Sequence, residues 1–230
     1  MLESLRQPRW VMGAVIALIT IVAFVSLGLW QLRRHDERRE FNRMAAAAID
    51  APALMIEDIA GTDLDALEYR SVRVEGRFDA DAAAVLQLQS FRGQAGVHAI
   101  AALEAADGTA VVINRGWAGL DDAVPLPPSG SMDLTGRLRL FRTDGKITDP
   151  DPPIRVSSID VKLLEEEWER SLAPFYLEAL VPEATELPIP LDEPTFSSGP
   201  HLTYAGQWFA FAAIVLIGFP LLLRRASKHA

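Results

Sequence analysis

The sequence contains no cysteine among its 230 residues, which excludes disulfide bonds, C-x-x-C redox chemistry and thiolate metal sites. It also lacks the G-x-S-x-G, P-loop, H-E-x-x-H and G-x-G-x-x-G motifs. Four histidines are present, and no two of them have the spacing of metal ligands on one helix: His35, His98, His201 and His229. We therefore expect no enzymatic activity, and five scattered methionines give little support to a Cu(I) site.

Basic residues are also scarce relative to acidic ones. Lys and Arg number 22 against 31 Asp and Glu, and the formal net charge is −9. Every carboxylate side chain except that of Glu3 lies between two long apolar stretches. A domain this acidic repels phosphate backbones, so we expect no nucleic-acid partner.

The two apolar stretches are the strongest feature of the sequence. Residues Val11–Trp30 and Ala205–Leu223 contain no charged residue. Each is long enough to cross a hydrocarbon core of about 30 Å as a helix that rises about 1.5 Å per residue. We predict transmembrane helices over residues 11–30 and 201–223; the alternative is a pair of buried core helices.

The first apolar stretch could also be a cleavable signal peptide, because Arg6 and Arg9 precede it. It is too long for a signal peptide, however, and no small-x-small site follows directly, so we predict a retained anchor. Both termini then lie on one side of the membrane. Basic residues are as numerous after the first stretch as in the two tails, so charge does not decide which side that is.

A helix is predicted to continue out of the membrane over residues 31–49. Oppositely charged residues recur three and four apart there, as in Arg33/Glu37 and Asp36/Arg39. Pro52 should end this helix, since the residue before a proline avoids helical backbone angles.

The remaining segment, residues 50–200, has the pattern of a β-rich domain. Apolar and polar residues alternate, or apolar runs end at turn signals, over 72–78, 84–89, 97–103, 110–114, 132–140 and 175–180. One helix is predicted over 161–168, with a capping box at Ser157–Asp160. Loops are predicted over 118–131 and 143–153, and Pro182–Pro200 should form an extended tether. The predicted fold class is a membrane-anchored α+β protein, in which two transmembrane helices flank an antiparallel β-rich domain with one or two helices.

A candidate site lies where the second apolar helix begins. At helical spacing His201, Tyr204 and Trp208 share one face, which places an imidazole beside aromatic rings at the membrane surface. A flat, apolar macrocycle could lie there with its iron bound by the imidazole. The alternative is an aromatic belt, because Tyr and Trp favour membrane interfaces in any case.

The first helix offers a matching end. Gly28, Trp30 and Gln31 lie at the same depth as His201, and Gly28 would allow the two helices to approach closely. Gln31, or Gln207, is a candidate hydrogen-bond partner of the His201 imidazole.

Within the domain, Asn114–Trp117 ends an apolar strand. Arg115 beside Trp117 could hold a carboxylate such as a haem propionate. The alternative is a purely structural turn at Gly116.

In combination these segments resemble the Surfeit locus protein 1 family, the cytochrome c oxidase assembly factors. The resemblance covers residues from about 24 to 215, and its motifs are Leu27–Arg34, Tyr69–Val72, Gly76–Phe78, Gly93, Gly96, Val111–Trp117 and His201–Phe209.

The resemblance implies a multi-pass protein of the bacterial plasma (inner) membrane with a periplasmic domain. It implies that haem a is bound and placed in the oxidase catalytic subunit, with His201 as the ligand of the haem iron. Trp30, Tyr204 and Trp208 would then pack on the ring, and Arg115 or Arg33 would meet the propionates. Membrane lipid and haem a synthase are further candidate partners; the rival functions are a cofactor-free scaffold that holds an oxidase subunit and, less favoured, a copper-delivery factor.

Overall fold

The computed structural model describes residues 8–180 and 187–226, which belong to two separate units. The helical unit contains the chain up to Met44 and from Thr195 onward, and the barrel unit spans Ala45–Pro194. Three α-helices are described, and they are α1 (Pro8–Asp50), α2 (Val161–Glu167) and α3 (His201–Ala226). The N-terminal part of the predicted tether lies outside the described residues.

Helix α1 is one continuous helix of 43 residues, so the apolar stretch and the predicted juxtamembrane helix are parts of one element. Its charged half carries ion pairs spaced three residues apart, Arg34–Glu37 at 3.0 Å and Arg43–Glu40 at 2.5 Å. These replace the predicted Arg33/Glu37 and Asp36/Arg39 pairs. All four side chains are exposed, so each pair contributes little to stability.

Helices α1 and α3 are long and apolar enough to cross a membrane. Only 6% of the apolar window in α1 and 11% of that in α3 is buried within the protein. The core helix of a soluble protein would be mostly covered, so α1 and α3 fit a membrane anchor instead. No third helix of this kind occurs within residues 8–180 and 187–226.

The described part of the barrel unit contains eight strands and two short 3₁₀ helices, the latter at Ile56–Ile59 and Leu64–Leu67. The strands are β1 (Leu54–Met55), β2 (Ser71–Phe91), β3 (Gln94–Ala105), β4 (Ala110–Gly119), β5 (Ser131–Leu140), β6 (Ile147–Asp149), β7 (Ile154–Val156) and β8 (Phe175–Ala179). The β-rich domain is therefore confirmed. The two stretches predicted over 72–78 and 84–89 are one strand, however, and the predicted loop over 143–153 contains β6.

Five strands form a closed ring in the order β2–β3–β4–β8–β5, because β5 pairs with β2 again. Strand β2 can serve both neighbours because a register shift between Phe78 and Ala83 bends it. Most pairings are antiparallel, as predicted, while β1–β2, β2–β7 and β4–β8 are parallel. Closure leaves these five strands with no free edge.

The two faces of the barrel strands carry separate apolar clusters. The inner cluster includes Val72, Val74, Leu103, Val111 and Leu177, all with no exposed surface. The outer cluster is covered by β7 and α2 and includes Ile100, Val112, Val156 and Leu164. Successive residues of β4, such as Val111 and Val112, therefore face opposite clusters, as the two-residue period of a strand requires.

Helix α2 begins at a different cap from the one predicted. The Asp160 carboxylate accepts hydrogen bonds from the backbone N–H groups of Lys162 and Leu163, at 3.1 Å and 3.5 Å. The predicted Ser157–Asp160 capping box was wrong: Ser157 Oγ instead accepts a hydrogen bond from the Lys146 N–H. A carboxylate cap also interacts favourably with the helix dipole.

Gly76 lies where β2 contacts both β3 and β5, and it has no room for a side chain. A Cβ there would lie 2.4 Å from the Glu104 carbonyl oxygen and from a methyl carbon of Leu103. We expect Gly76→Ala to lower the free energy of unfolding by about 3 kcal/mol, because the clash involves backbone. Urea unfolding of the detergent-solubilised chain, followed by near-ultraviolet circular dichroism, measures this.

Gly93→Ala is the matched control for Gly76→Ala. Gly93 has a φ of +82° but open space around it, so alanine there introduces only backbone strain, about 1 kcal/mol. Equal losses for the two variants would show that the Gly76 contact does not limit the packing of the barrel.

Candidate functional site

In the helical unit, α1 and α3 pack closely through small residues. Gly28 is buried, and a Cβ at this position would lie 2.6 Å from the Phe209 ring. Ala205 and Ala212 of α3 are also buried, at 2% and 6% exposed. Small residues at a helix contact let the backbones approach, as expected between helices in a membrane.

At the domain-side end of this contact, His201 and Gln31 form a hydrogen bond. His201 Nδ1 lies 2.8 Å from Gln31 Oε1. Because an amide oxygen only accepts, His201 Nδ1 carries the proton and donates it in this orientation of the Gln31 amide. The lone pair of a neutral His201 ring is then on Nε2, which is the nitrogen left to bind another group.

Gly199 keeps space beside that nitrogen. It has a φ of +68°, which favours glycine, and its N–H donates to Ser197 Oγ at 3.1 Å. A Cβ on Gly199 would lie 3.3 Å from His201 Nε2, so a side chain at this position would crowd the imidazole. The turn that begins α3 therefore keeps the space beside Nε2 free of a side chain. The sequence prediction omitted this residue, although the Gly-Pro pair before the helix was a visible signal.

The three aromatic residues predicted for the site occupy different environments. Trp208 packs against two rings of the same unit, with centroids 5.5 Å from Phe24 and 6.0 Å from Phe211. Trp30 and Tyr204 are about half exposed, at 51% and 46%. Trp30 precedes Gln31 in α1, and Tyr204 lies one turn after His201 in α3. Trp208 thus stabilises the helix pair, while Trp30 and Tyr204 keep about half of their surface exposed.

Arg33 lies two residues beyond Gln31, and its side chain is exposed. The neighbouring Arg34 forms an ion pair with the Glu37 carboxylate. Arg33 forms no ion pair with any residue that the structure describes. Gln207 is exposed, and it is Gln31 rather than Gln207 that pairs with the imidazole. Arg33 is therefore an exposed cation two residues beyond Gln31 in α1, without an ion pair among the described residues.

Arg115 belongs to the barrel unit, where it has structural contacts. Its Nη1 donates to the Pro125 carbonyl oxygen at 2.8 Å, and its guanidinium lies 5.7 Å from the centre of the Phe78 ring. Burial lowers the pKa of Arg115 below its usual value. Arg115 thus secures the loop after β4. The strand end and turn predicted at Asn114–Trp117 were wrong, because β4 continues to Gly119 and these residues pair with β3 across a register shift.

Comparison with known proteins identifies the family of this chain. The model of the SURF1 family matches residues 18–213. The chain belongs to the SURF1 family. A SURF1-like protein of Rickettsia felis is 23% identical over 222 residues, covering 92% of this chain and 96% of that protein. A SURF1-like protein of Dictyostelium discoideum is 30% identical over 105 residues, covering 42% of this chain and 38% of that protein.

Membership in the SURF1 family supports several of the sequence predictions. The family is known for oxidase assembly factors, which supports a general role in oxidase assembly and an oxidase as partner. It also supports a non-catalytic role, and the two apolar helices of this SURF1-family chain fit the membrane anchor.

Proposed function

We propose that this SURF1-family protein binds haem a at the His201–Gln31 pair and helps to place it in the catalytic subunit of cytochrome c oxidase. The observation that carries the proposal is the hydrogen bond from His201 Nδ1 to Gln31 Oε1, at 2.8 Å. It fixes the imidazole so that Nε2 faces away from Gln31 with a free lone pair. A neutral imidazole held in this way is the usual form of a histidine that ligates a metal.

The surroundings of His201 suit a large apolar macrocycle. Gly199 carries no side chain to crowd Nε2, and Trp30 and Tyr204 present half-exposed rings near the helix ends. Arg33 supplies a cation without a carboxylate partner among the described residues, and propionates are carboxylates. When bound, haem supplies an iron that accepts an axial nitrogen ligand.

The individual residues then have distinct roles. His201 would ligate the iron, Gln31 would hold the ring orientation, and Trp30 and Tyr204 would pack on the macrocycle. Trp208 would act indirectly, through its packing against Phe24. We assign the propionate contact to Arg33 rather than Arg115, because Arg115 is already bonded to Pro125.

A single imidazole also suits delivery. Haem held by one protein ligand can leave more easily than haem held by two, since only one bond to the iron must be exchanged. The catalytic subunit of the oxidase would receive the haem, and haem a synthase is the candidate source. In this proposal the protein lies in the bacterial plasma membrane with the barrel unit on the periplasmic side.

The test is an absorption spectrum of the full chain, purified in detergent from cells that make haem a. We expect a haem band that copurifies with the protein in a fixed ratio. Colourless protein that still copurifies with an oxidase subunit would contradict haem binding and favour a cofactor-free scaffold. A metal assay on the same sample that found copper and no haem would contradict the proposal and favour copper delivery.

Gln31 gives a sharper prediction, because it touches the imidazole rather than the iron. Gln31→Leu removes the acceptor for Nδ1–H and should weaken haem binding about tenfold or more, as loss of such partners does at other metal sites. Gln31→Glu keeps an acceptor oxygen and should stay close to wild type. Haem titration of the purified variants measures both affinities.

Gln207→Leu is the matched control, since Gln207 is exposed and does not pair with His201. It makes the same chemical change in the same unit. A similar loss in Gln207→Leu and Gln31→Leu would show that Gln31 has no special role in orienting the imidazole.

A further inference from the structure

The barrel unit contains a cavity of about 290 Å³ that shares no residue with the His201–Gln31 pair. Its lining includes Leu86, His98, Asn114, Arg142, Tyr176 and Glu178. Four of these bring polar groups from β3, β4 and β8. Asn114 is 2% exposed, and His98 and Glu178 are each 9% exposed. Buried polar groups around a cavity of this size are typical of a small-molecule site.

The hydrogen bonds of Asn114 determine which nitrogen of His98 is protonated. Asn114 Oδ1 accepts from the Gly116 N–H at 3.2 Å, so the amide nitrogen must face His98. That nitrogen lies 3.0 Å from His98 Nδ1 and donates to it. Burial lowers the pKa of His98 to about 4, so the ring is neutral at pH 7 with its proton on Nε2. His98 therefore offers one N–H donor.

Tyr176 is a second donor. Burial, aided by the Glu178 carboxylate, raises the pKa of Tyr176 to about 12, so its hydroxyl stays protonated. Its ring is held by Phe141, with centroids 5.7 Å apart.

The charge of Glu178 is balanced within the protein. Arg139 Nη1 lies 3.2 Å from Glu178 Oε1, and Arg137 Nη1 lies 3.7 Å from Oε2. Arg139 also lies 3.4 Å from the Glu68 carboxylate. The positive charges of these two guanidinium groups thus balance the negative charges of the two carboxylates.

Arg142 also lines the cavity, and this residue is exposed to solvent. It forms no ion pair with any residue in the described ranges, and it is close enough to Tyr176 to affect that hydroxyl. The cavity therefore combines one uncompensated cation with N–H and O–H donors. This combination does not suit a cation and favours a single oxyanion group.

We propose that this cavity binds a small organic monocarboxylate. The carboxylate pairs with Arg142 and accepts hydrogen bonds from His98 Nε2–H and the Tyr176 hydroxyl. The apolar end of the ligand contacts Leu86 and Ile159, which also line the cavity. A carboxylate with a short hydrocarbon tail uses both kinds of lining, whereas inorganic phosphate uses only the polar one.

Butyrate is the probe for this site. The full chain, labelled with ¹⁵N-histidine and held in detergent, is titrated with butyrate while the His98 resonances are followed by NMR. We expect a saturable shift of the Nε2–H signal. Arg142→Gln should weaken the binding about tenfold or more, because the charge-assisted pair is lost.

Arg155→Gln is the matched control, since Arg155 is exposed and lies 3.7 Å from Asp149, outside the cavity. The affinity of Arg155→Gln for butyrate should equal that of wild type. Uncharged butyramide should cause no shift of the His98 signal. Three results would overturn the proposal. The shift could fail to saturate, Arg142→Gln could bind butyrate as tightly as wild type does, or inorganic phosphate could bind the site more tightly than butyrate and displace it. None of these results depends on whether haem binds at His201.

Discussion

Replacing His201 with alanine is expected to lower the haem content of the purified protein at least about tenfold, a free-energy change of about 1.4 kcal/mol or more. The physical reason is that the His201–Gln31 hydrogen bond leaves one lone pair available, on His201 Nε2. Alanine removes that lone pair, and Gln31 has no nitrogen lone pair to take its place. The remaining contacts would be apolar packing and the Arg33 charge, which do not bind iron. Haem content is read from the absorption spectrum relative to protein concentration.

Thr203→Ala is the control for this change. Thr203 lies in the same first turn of α3 and is exposed, so its replacement removes a polar side chain without touching the His201–Gln31 pair. Wild-type haem content is expected. Equal haem content in His201→Ala and wild type would remove His201 from the site. Loss of haem in Thr203→Ala as well would show that the start of α3, rather than the imidazole, is what matters.

Acidification from pH 6.5 to pH 4 is expected to lower the stability of the barrel by about 3 kcal/mol through His98. In the folded protein burial holds the pKa of His98 at about 4, against 6.5 for an unperturbed histidine. Below pH 6.5 the unfolded chain therefore takes up a proton that the folded chain does not. The stabilisation is complete above pH 6.5 and is lost as the pH falls toward 4. Urea unfolding at a series of pH values measures it.

His98→Gln provides the comparison, because glutamine does not titrate and can still accept from Asn114. Its stability should change less than that of wild type between pH 6.5 and pH 4. Burial raises the pKa of Glu178, so this group makes the folded protein more stable as the pH falls through part of this range. Both proteins carry Glu178, so its contribution cancels when the two pH profiles are subtracted. The pKa values of Asp79 and Asp133 are lowered by hydrogen bonds, so these groups act at lower pH. Parallel pH profiles for the two proteins would contradict the assignment.

Local pattern predicted much of the barrel. The alternation at 132–140 matches β5 closely, because one face of that strand packs inside the barrel and the period of a strand is two residues. Closure of the barrel was not predictable in the same way. It depends on the bend in β2 between Phe78 and Ala83 and on β8 pairing in parallel with β4. Both are long-range pairings, and no local period specifies them.

The candidate site, like the barrel, was predictable from the sequence only in part. Depth along the two helices predicted that Gln31 and His201 could meet, because both lie at the same end of two antiparallel membrane helices. The environment of Trp208 was not predictable, since it depends on which face of α1 carries Phe24. The same holds for Arg115, whose contact with Pro125 depends on how the loop after β4 folds back. Helical periodicity predicts which residues share a face of one helix. Which of those residues are buried depends on how the partner helix packs against that face.

The most direct test of the haem proposal is chemical rescue of His201→Gly with free imidazole. The full-length variant is purified in detergent, mixed with haem a, and titrated with imidazole while the absorption spectrum is recorded. If His201 Nε2 is the iron ligand, the variant alone should bind haem poorly, and imidazole should restore the wild-type band to a saturating level. A wild-type spectrum for His201→Gly before imidazole is added would contradict the haem proposal.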